Sequence, residues 1–341
     1  MNKIDVTCLF RKRGARFSIE KVFGTIIAGL RKRHVDVRCA EVPCGDASFR
    51  SLFRNLLYCF RNLRGKFVHI TGDVNYCALA LKRNEYIVTI HDLVLMERKN
   101  RLARLVFLWF WYKLPCRRAG CVVCISEKTK EELIRFCGPL RVPIYVVPDP
   151  IDASFVCSPK EFDHRRPVIL QVGTKENKNL FRVVDAVKHI PCVLRIIGRL
   201  NPKQEEYLRV SAVEYSSAHE LSDRQVVDEY KRADVVCFPS LYEGFGMPII
   251  EAQATGRVVV TSNISPMAEI AGETACLVDP YSVESIRDGL RKVISDDPYR
   301  ERLIAAGLEN VRKYSSDEIV AQYMKLYAEF GAECSRPVAS A

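Results

Sequence analysis

The stretch Asp234-Val-Val-Cys-Phe-Pro-Ser-Leu-Tyr-Glu243-Gly244-Phe245-Gly246-Met247-Pro248-Ile-Ile-Glu251 decides how this chain is read. Its first half is an apolar, strand-like run. That strand cannot continue, because the glycines free the backbone and Pro248 removes a donor. Pro248 suits the first turn of a helix instead. The pattern is therefore strand, glycine-rich turn, helix. Peptide N–H groups around Gly246 and Met247 at a helix start suit an anion such as a phosphate. Glu251 is expected inside the first turn, where a carboxylate accepts from the vicinal hydroxyls of a sugar. On spacing alone, two glutamates mean nothing. The Gly-Phe-Gly-Met-Pro interior and the preceding strand give them meaning: a diol with a diphosphate beside it describes a nucleotide sugar.

Outward from this stretch, Val172-Gly173-Thr174-Lys175-Glu-Asn-Lys178-Asn179 repeats the plan. A strand ends at Gly173, a polar loop follows, and Lys178-Asn179 opens a helix. A lysine there can meet a diphosphate as a point charge while the helix end supplies N–H groups. A solvated surface lysine is the alternative. A third unit, Tyr86-Ile-Val-Thr-Ile-His91-Asp92, delivers a histidine just past a strand. By itself that histidine reads first as a structural contact, with a hydrogen bond to a sugar hydroxyl as the alternative. Asp92 reads as an orienting group or a helix cap. Arg199 follows the strand pattern at 193–197 and by itself reads as a surface arginine. Near the start, Arg11-Lys-Arg-Gly14-Ala-Arg16 sets four cations around a glycine. That cluster suggests an anionic acceptor, or an exposed loop.

Strand patterns recur at 4–10, 35–40, 67–71, 86–90, 121–125 and 144–147, with helical patterns such as 19–32 and 127–137 between them. Residues 148–167 are rich in proline and charge, lack a period, and read as a linker. A second series follows at 168–173, 193–197, 235–238 and 258–261. Such alternation predicts parallel sheets covered by helices, and 341 residues allow two domains. The expected division is 1–150 and 151–315, with a final helix at about 316–331 and a frayed tail over 332–341.

The Glu243–Glu251 segment closely resembles the Glu-x7-Glu motif of retaining glycosyltransferases of family 4. The segments at Lys178-Asn179 and His91-Asp92 resemble that family's donor loop and active-site histidine segment. The resemblance covers nearly the whole chain and is strongest in its second half. It implies the α/β GT-B fold: two Rossmann-like, doubly wound parallel-sheet domains facing across a cleft, the final helix returning to the first. It also implies transfer of a hexose-type sugar from a UDP- or GDP-linked donor. The acceptor would be a glycan or a polyprenyl-pyrophosphate-linked glycan in envelope polysaccharide or lipopolysaccharide assembly. The catalytic residues would be His91, Glu243 and Lys178. Glu251 would hold the ribose diol, while Glu243, Gly244, Phe245, Gly246 and Met247 address the donor sugar and diphosphate. Lys178 would neutralise the leaving group. Gly173, Thr174 and Arg199 would complete the donor site, and Gly14 and Arg16 would meet the acceptor. One departure stands out: many relatives carry an arginine where this chain has Thr174, and Lys175 is the nearest cation. Retention by front-face attack within an ion pair needs no carboxylate nucleophile, unlike the paired carboxylates of a glycosidase. No convincing Asp-x-Asp follows a strand. With the family's habit, no metal and no cofactor are expected.

The net charge of +11 is uneven: residues 1–166 hold 31 Lys+Arg against 16 Asp+Glu, and the rest hold 21 against 25. The basic half favours anionic surfaces, whether acidic lipid, a pyrophosphate-linked acceptor or nucleic acid. The aromatic runs of nucleic-acid readers are absent, so no nucleic acid is expected. A basic-surface binder and a catalytically silent scaffold remain the competing classes, with a phosphosugar epimerase as another enzyme on this fold. Residues 102–114 are apolar nearly all round, with cationic ends. They read first as packing against the sheet and second as contact with the inner face of a membrane. No run is long and apolar enough to span one. The opening residues are too short and charged for a signal peptide, so a cytoplasmic or peripheral location is expected. Fourteen cysteines sit mostly in apolar runs and read as small buried hydrophobes, reduced. Cys121 and Cys124, three apart on a strand, face opposite sides and cannot share a metal. Ser126 reads as a plain helix cap.

Overall fold

A computed structural model describes residues 4–12, 18–93 and 101–334. The chain divides into two compact units, Met1–Pro150 with Ser316–Ala341, and Ile151–Ser315. The first unit runs β1 (Asp5–Phe10), α1 (Ser18–Lys32), β2 (Asp36–Glu41), α2 (Phe49–Asn62), β3 (Val68–Ile70) and β4 (Tyr86–Ile90). It continues with α3 (Arg101–Phe107), α4 (Leu114–Arg118), β5 (Cys121–Cys124), α5 (Glu127–Cys137) and β6 (Ile144–Val146). All its strand pairs are parallel, in the order β2-β1-β3-β4-β5-β6. The order reverses between β1 and β3, and a doubly wound sheet opens a crevice at the carboxyl ends there.

Each face of this sheet carries its own core. One face buries Val6, Cys8, Ile87 and Cys121 against α1 and the C-terminal helix Ser316–Cys334; the other buries Leu9, Ile70, Val88 and Cys124. Cys121 and Cys124 thus lie on opposite faces, as the period of a strand requires. Burial raises the pKa of both thiols, as expected of inert core cysteines. Ser126 caps α5 by accepting from the Thr129 amide at 3.2 Å.

The second unit runs β7 (Val168–Val172), α6 (Leu180–Val187), β8 (Val193–Ile197), α7 (Pro202–Ser211), β9 (Tyr215–Ala218), α8 (Asp223–Arg232) and β10 (Val235–Phe238). It closes with α9 (Met247–Ala254), β11 (Val258–Ser262), α10 (Met267–Ala271), β12 (Cys276–Val278), α11 (Val283–Ser295) and α12 (Asp297–Asn310). Its sheet is also parallel, in the order β12-β11-β10-β7-β8-β9, with the reversal between β7 and β10. No regular element falls between β6 and β7.

Two strands, β9 and β12, escape the sequence reading. Both are edge strands, one polar (Tyr-Ser-Ser-Ala) and one only three residues long, so neither shows a buried strand's apolar run. The reading of 102–114 as packing first holds for one face only. The helix is interrupted by a π turn, Leu108–Lys113, which turns Trp111 and Tyr112 inward. Leu102, Leu105, Val106, Trp109 and Phe110 stay exposed. Among the described residues, no helix is long and apolar enough to cross a membrane.

Candidate active site

The two loops that flank the reversal of the second sheet bring the strongest candidates together. The loop after β7 supplies Lys178 and the loop after β10 supplies Glu243, and their charged ends meet at 2.6 Å. Both side chains are mostly shielded from solvent. The Lys178 ammonium also sits 4.8 Å from the centre of the Phe238 ring at the end of β10. Neighbouring residues fix this pair. Asn177 donates to the Tyr242 carbonyl at 2.8 Å, and Gln171 donates to the Lys178 carbonyl at 2.8 Å. Asn179 adopts a left-handed conformation (φ 62°) and donates to the carbonyls of Pro239 and Pro280. These bonds lace the β7 and β10 loops into one rim, of which Lys178, Asn179 and Glu243 stood out in the sequence while Asn177 did not.

Gly173 has a structural reason to be glycine. Its φ is +90°, and a Cβ there would come within 2.9 Å of the Lys178 stem, which crosses directly over the backbone. Thr174 serves the rim too: its hydroxyl donates to the Arg199 carbonyl at 2.7 Å, and its carbonyl accepts from Gln204 at 2.6 Å. The Arg199 guanidinium pairs with Glu220 at the surface.

Gly246, with φ +136°, caps α9, and Pro248 takes the second helical position. Neither the Gly246 nor the Met247 amide bonds a backbone carbonyl among the described residues. Phe245 is buried edge-on against Tyr314 at 5.7 Å and anchors the turn. Glu251 is the fifth residue of α9, just past the first turn where the sequence placed it. There the buried Tyr230 hydroxyl, from α8, donates to Glu251 Oε2 at 2.5 Å. Burial, then the Glu251 charge, raises the tyrosine pKa, so it remains a donor. Tyr230 carries no motif and was invisible in the sequence. A bare cleft carboxylate could be truncated without cost to the fold, whereas Glu251→Ala would leave a buried hydroxyl without its acceptor.

His91 belongs to the first unit, just beyond β4. Its Nε2 must donate to the Thr71 carbonyl at 2.8 Å, since a carbonyl only accepts, which leaves Nδ1 as the acceptor of the neutral ring. Gly72, at φ +137°, lets the ring approach: a Cβ there would lie 2.7 Å from His91 Cδ2. Asp149, just past β6, is a buried carboxyl whose pKa burial raises and the charge of His91 lowers. Behind His91, His69 is fully buried between Tyr327 (2.5 Å) and Thr89 (2.7 Å). Burial, aided by His91, pushes its pKa down to about 3. At the reversal of the first sheet, Arg11 binds Glu20 at 2.7 Å and pairs with Asp73. Beside Arg11 and Asp73 a cavity of about 220 Å³ opens, walled by Asp46, Tyr76 and Trp111. Gly14 and Arg16 lie outside the described residues.

Two family models match this chain in succession. Residues 2–155 match Glycosyltransferase Family 4, and residues 158–310 match Glycosyl transferases group 1. The chain belongs to glycosyltransferase family 4. Among curated relatives, it is 35% identical over 98 residues to O-antigen chain mannosyltransferase B of Escherichia coli, covering 29% of this chain and 26% of that protein. The chain spans about a quarter to a third of the length of the first curated relatives it matches. Among solved structures, sucrose-phosphate synthase from Thermosynechococcus elongatus superposes with a TM-score of 0.76 at 17% identity, covering 97% of this chain and 100% of that one. HepE of Anabaena, solved with UDP and glucose, superposes at 0.73 and 14% identity, covering 95% and 99%. These likenesses agree with two Rossmann-like units of the GT-B fold.

Proposed function

We propose that this member of family 4 transfers a hexose, with retention, from a UDP- or GDP-linked donor to a glycan or lipid-linked glycan in cell-envelope polysaccharide assembly. The observation that carries this reading is the Lys178–Glu243 pair at the reversal of the second sheet, with Glu251 on the helix that the same loop opens. The mannosyltransferase relative and the UDP-bound neighbour agree with it.

In this reading the anomeric carbon–oxygen bond to the diphosphate breaks first. The leaving oxygen's charge is met by Lys178 and by the amides of Gly246 and Met247 at the start of α9. The diphosphate takes over part of the ion pair that Glu243 now holds, and Glu243 turns to the donor sugar. Glu251, oriented by Tyr230, accepts from the ribose diol. The acceptor hydroxyl attacks from the side the diphosphate leaves, so the configuration is kept. Its proton passes to a phosphate oxygen. His91 donates through Nε2 to Thr71 and can receive a sugar hydroxyl at Nδ1. Since Lys178 supplies the positive charge, a divalent ion is not required.

Mass spectrometry and proton NMR of products from UDP- and GDP-hexoses with an envelope glycan acceptor, run with and without EDTA, test the proposal. Sugar transfer that persists in EDTA and yields an axial linkage from an axial donor is expected. An inverted linkage, or activity abolished by EDTA and restored by magnesium, would contradict it.

A further inference from the structure

Helix α2 is amphipathic the wrong way round. It buries Ser51, Asn55 and Cys59 and leaves Phe49, Phe53 and Phe60 exposed, at 93%, 67% and 50%. At about 100° per residue these three rings fall within about 40° of one another, a single stripe along the helix. Arg50, Arg54 and Arg61, all exposed, form a parallel row beside it. Arg64, just past the helix, lies over the Phe60 ring at 4.7 Å. No fold-level need explains the stripe, because the helix already packs through its other face: Asn55 donates to the Tyr76 hydroxyl at 2.7 Å and the Cys44 carbonyl at 2.9 Å.

A second exposed stripe lies on the same side of the first sheet. Leu105, Val106, Trp109 and Phe110 project outward from α3 and its π turn, while Trp111 and Tyr112 join the core that also receives Cys59 of α2 and Leu63 just past it. Lys113 covers the Trp109 ring at 4.5 Å. At the margin of this helix layer, Arg83, Arg117, Arg118 and Arg141 surround a cavity of about 420 Å³ that has no carboxylate in its lining. Residues 49–62 and 102–118 contain no acidic side chain at all.

We propose that this helix layer docks on an anionic lipid bilayer, with the α2 phenylalanines entering the interface and the arginine row meeting lipid phosphates. The charge pattern selects this occupant. A two-fold pairing with a second copy would set arginine rows against each other, a repulsion with no acid to relieve it. A bilayer with anionic headgroups satisfies both features over the whole face, apolar depth for the rings and negative charge for the guanidinium groups. The inference is independent of the donor-site reading.

The test is co-sedimentation of the whole chain with vesicles of phosphatidylcholine alone or with phosphatidylglycerol, at low and high salt. Binding only to the anionic vesicles, weakened by salt, is expected. The triple variant Phe49→Gln, Phe53→Gln, Phe60→Gln and the variant Arg50→Gln, Arg54→Gln, Arg61→Gln should each lower it by roughly tenfold or more. A second readout needs no variant. The chain has two tryptophans, one buried and one, Trp109, exposed. Quenching of its fluorescence by brominated lipid places that helix in the bilayer. Equal binding by the phenylalanine variant, indifference to lipid charge, or no quenching would overturn the proposal. So would a dimer in ultracentrifugation that the phenylalanine variant abolishes, with no binding to either vesicle.

Discussion

The two parallel sheets reverse direction in the same way, yet their crevices are furnished differently. In the second unit, Lys178 and Glu243 answer each other across the β7 and β10 loops, held by Asn177, Asn179 and Gln171. In the first unit, Arg11 pairs with Asp73 in the loop after β3 and with Glu20, and the distinctive group is a histidine one strand further along, fixed by the Thr71 carbonyl. One crevice presents a lysine–glutamate pair beside the glycine-capped start of α9. The other offers a histidine ring held by a backbone carbonyl, a cavity lined by aromatic and charged walls, and a second, buried histidine. The difference teaches that the same topology can be furnished for different chemistry: a shielded ion pair in one unit, a histidine held by a backbone carbonyl in the other.

That contrast can be broken most sharply at Lys178. Lys178→Ala should lower kcat for sugar transfer by about 10²–10³-fold, the scale of one lost charge-stabilising donor, in steady-state kinetics. His91→Ala should cost about tenfold in kcat, the worth of one hydrogen bond, with donor affinity unchanged. Equal losses for the two, or a loss of donor affinity in His91→Ala, would erase the contrast.

The first unit makes a second, pH-dependent claim. Folding holds His69 neutral down to about pH 3, while in the unfolded chain it titrates near 6.5. Between those values the unfolded state binds the extra proton. This contribution is therefore complete above about pH 6.5 and is lost as pH falls, with a slope of at most about 1.4 kcal/mol per pH unit. Urea unfolding at pH 5 and pH 7 should show a shallower acid loss in His69→Gln than in the natural chain. Identical slopes would mean that His69 is already solvated. The smallest effect should come from Tyr230→Phe, which removes one donor from Glu251. About fivefold in donor KM with kcat unchanged is expected from a loss near 1 kcal/mol. A change in kcat instead would make Tyr230 more than a positioning residue.

How much of this was legible differs along the chain for physical reasons. Buried parallel strands announce themselves as apolar runs, so β4, β8 and β10 were read to the residue, while the polar edge strand β9 was not. Lys178, Glu243 and Gly246 sit in loops whose glycine and proline content forces a turn, and such turns leave a mark in sequence. Tyr230 and Asn177 act through geometry alone, and a tyrosine on an ordinary helix leaves none. The Phe stripe of α2 was hidden for the opposite reason: its periodicity looks like a helix facing its core, and only the structure shows it facing away.

The central claim is that the β7 and β10 loops and α9 hold a nucleoside-diphosphate sugar. Isothermal titration calorimetry with UDP and GDP, on the natural chain and on Glu251→Gln, which can still bond Tyr230, tests it most directly. The account predicts binding of one nucleoside diphosphate, weakened about tenfold or more in the variant with an unchanged melting temperature. Equal affinity in both proteins, or no heat with either nucleotide, would contradict it.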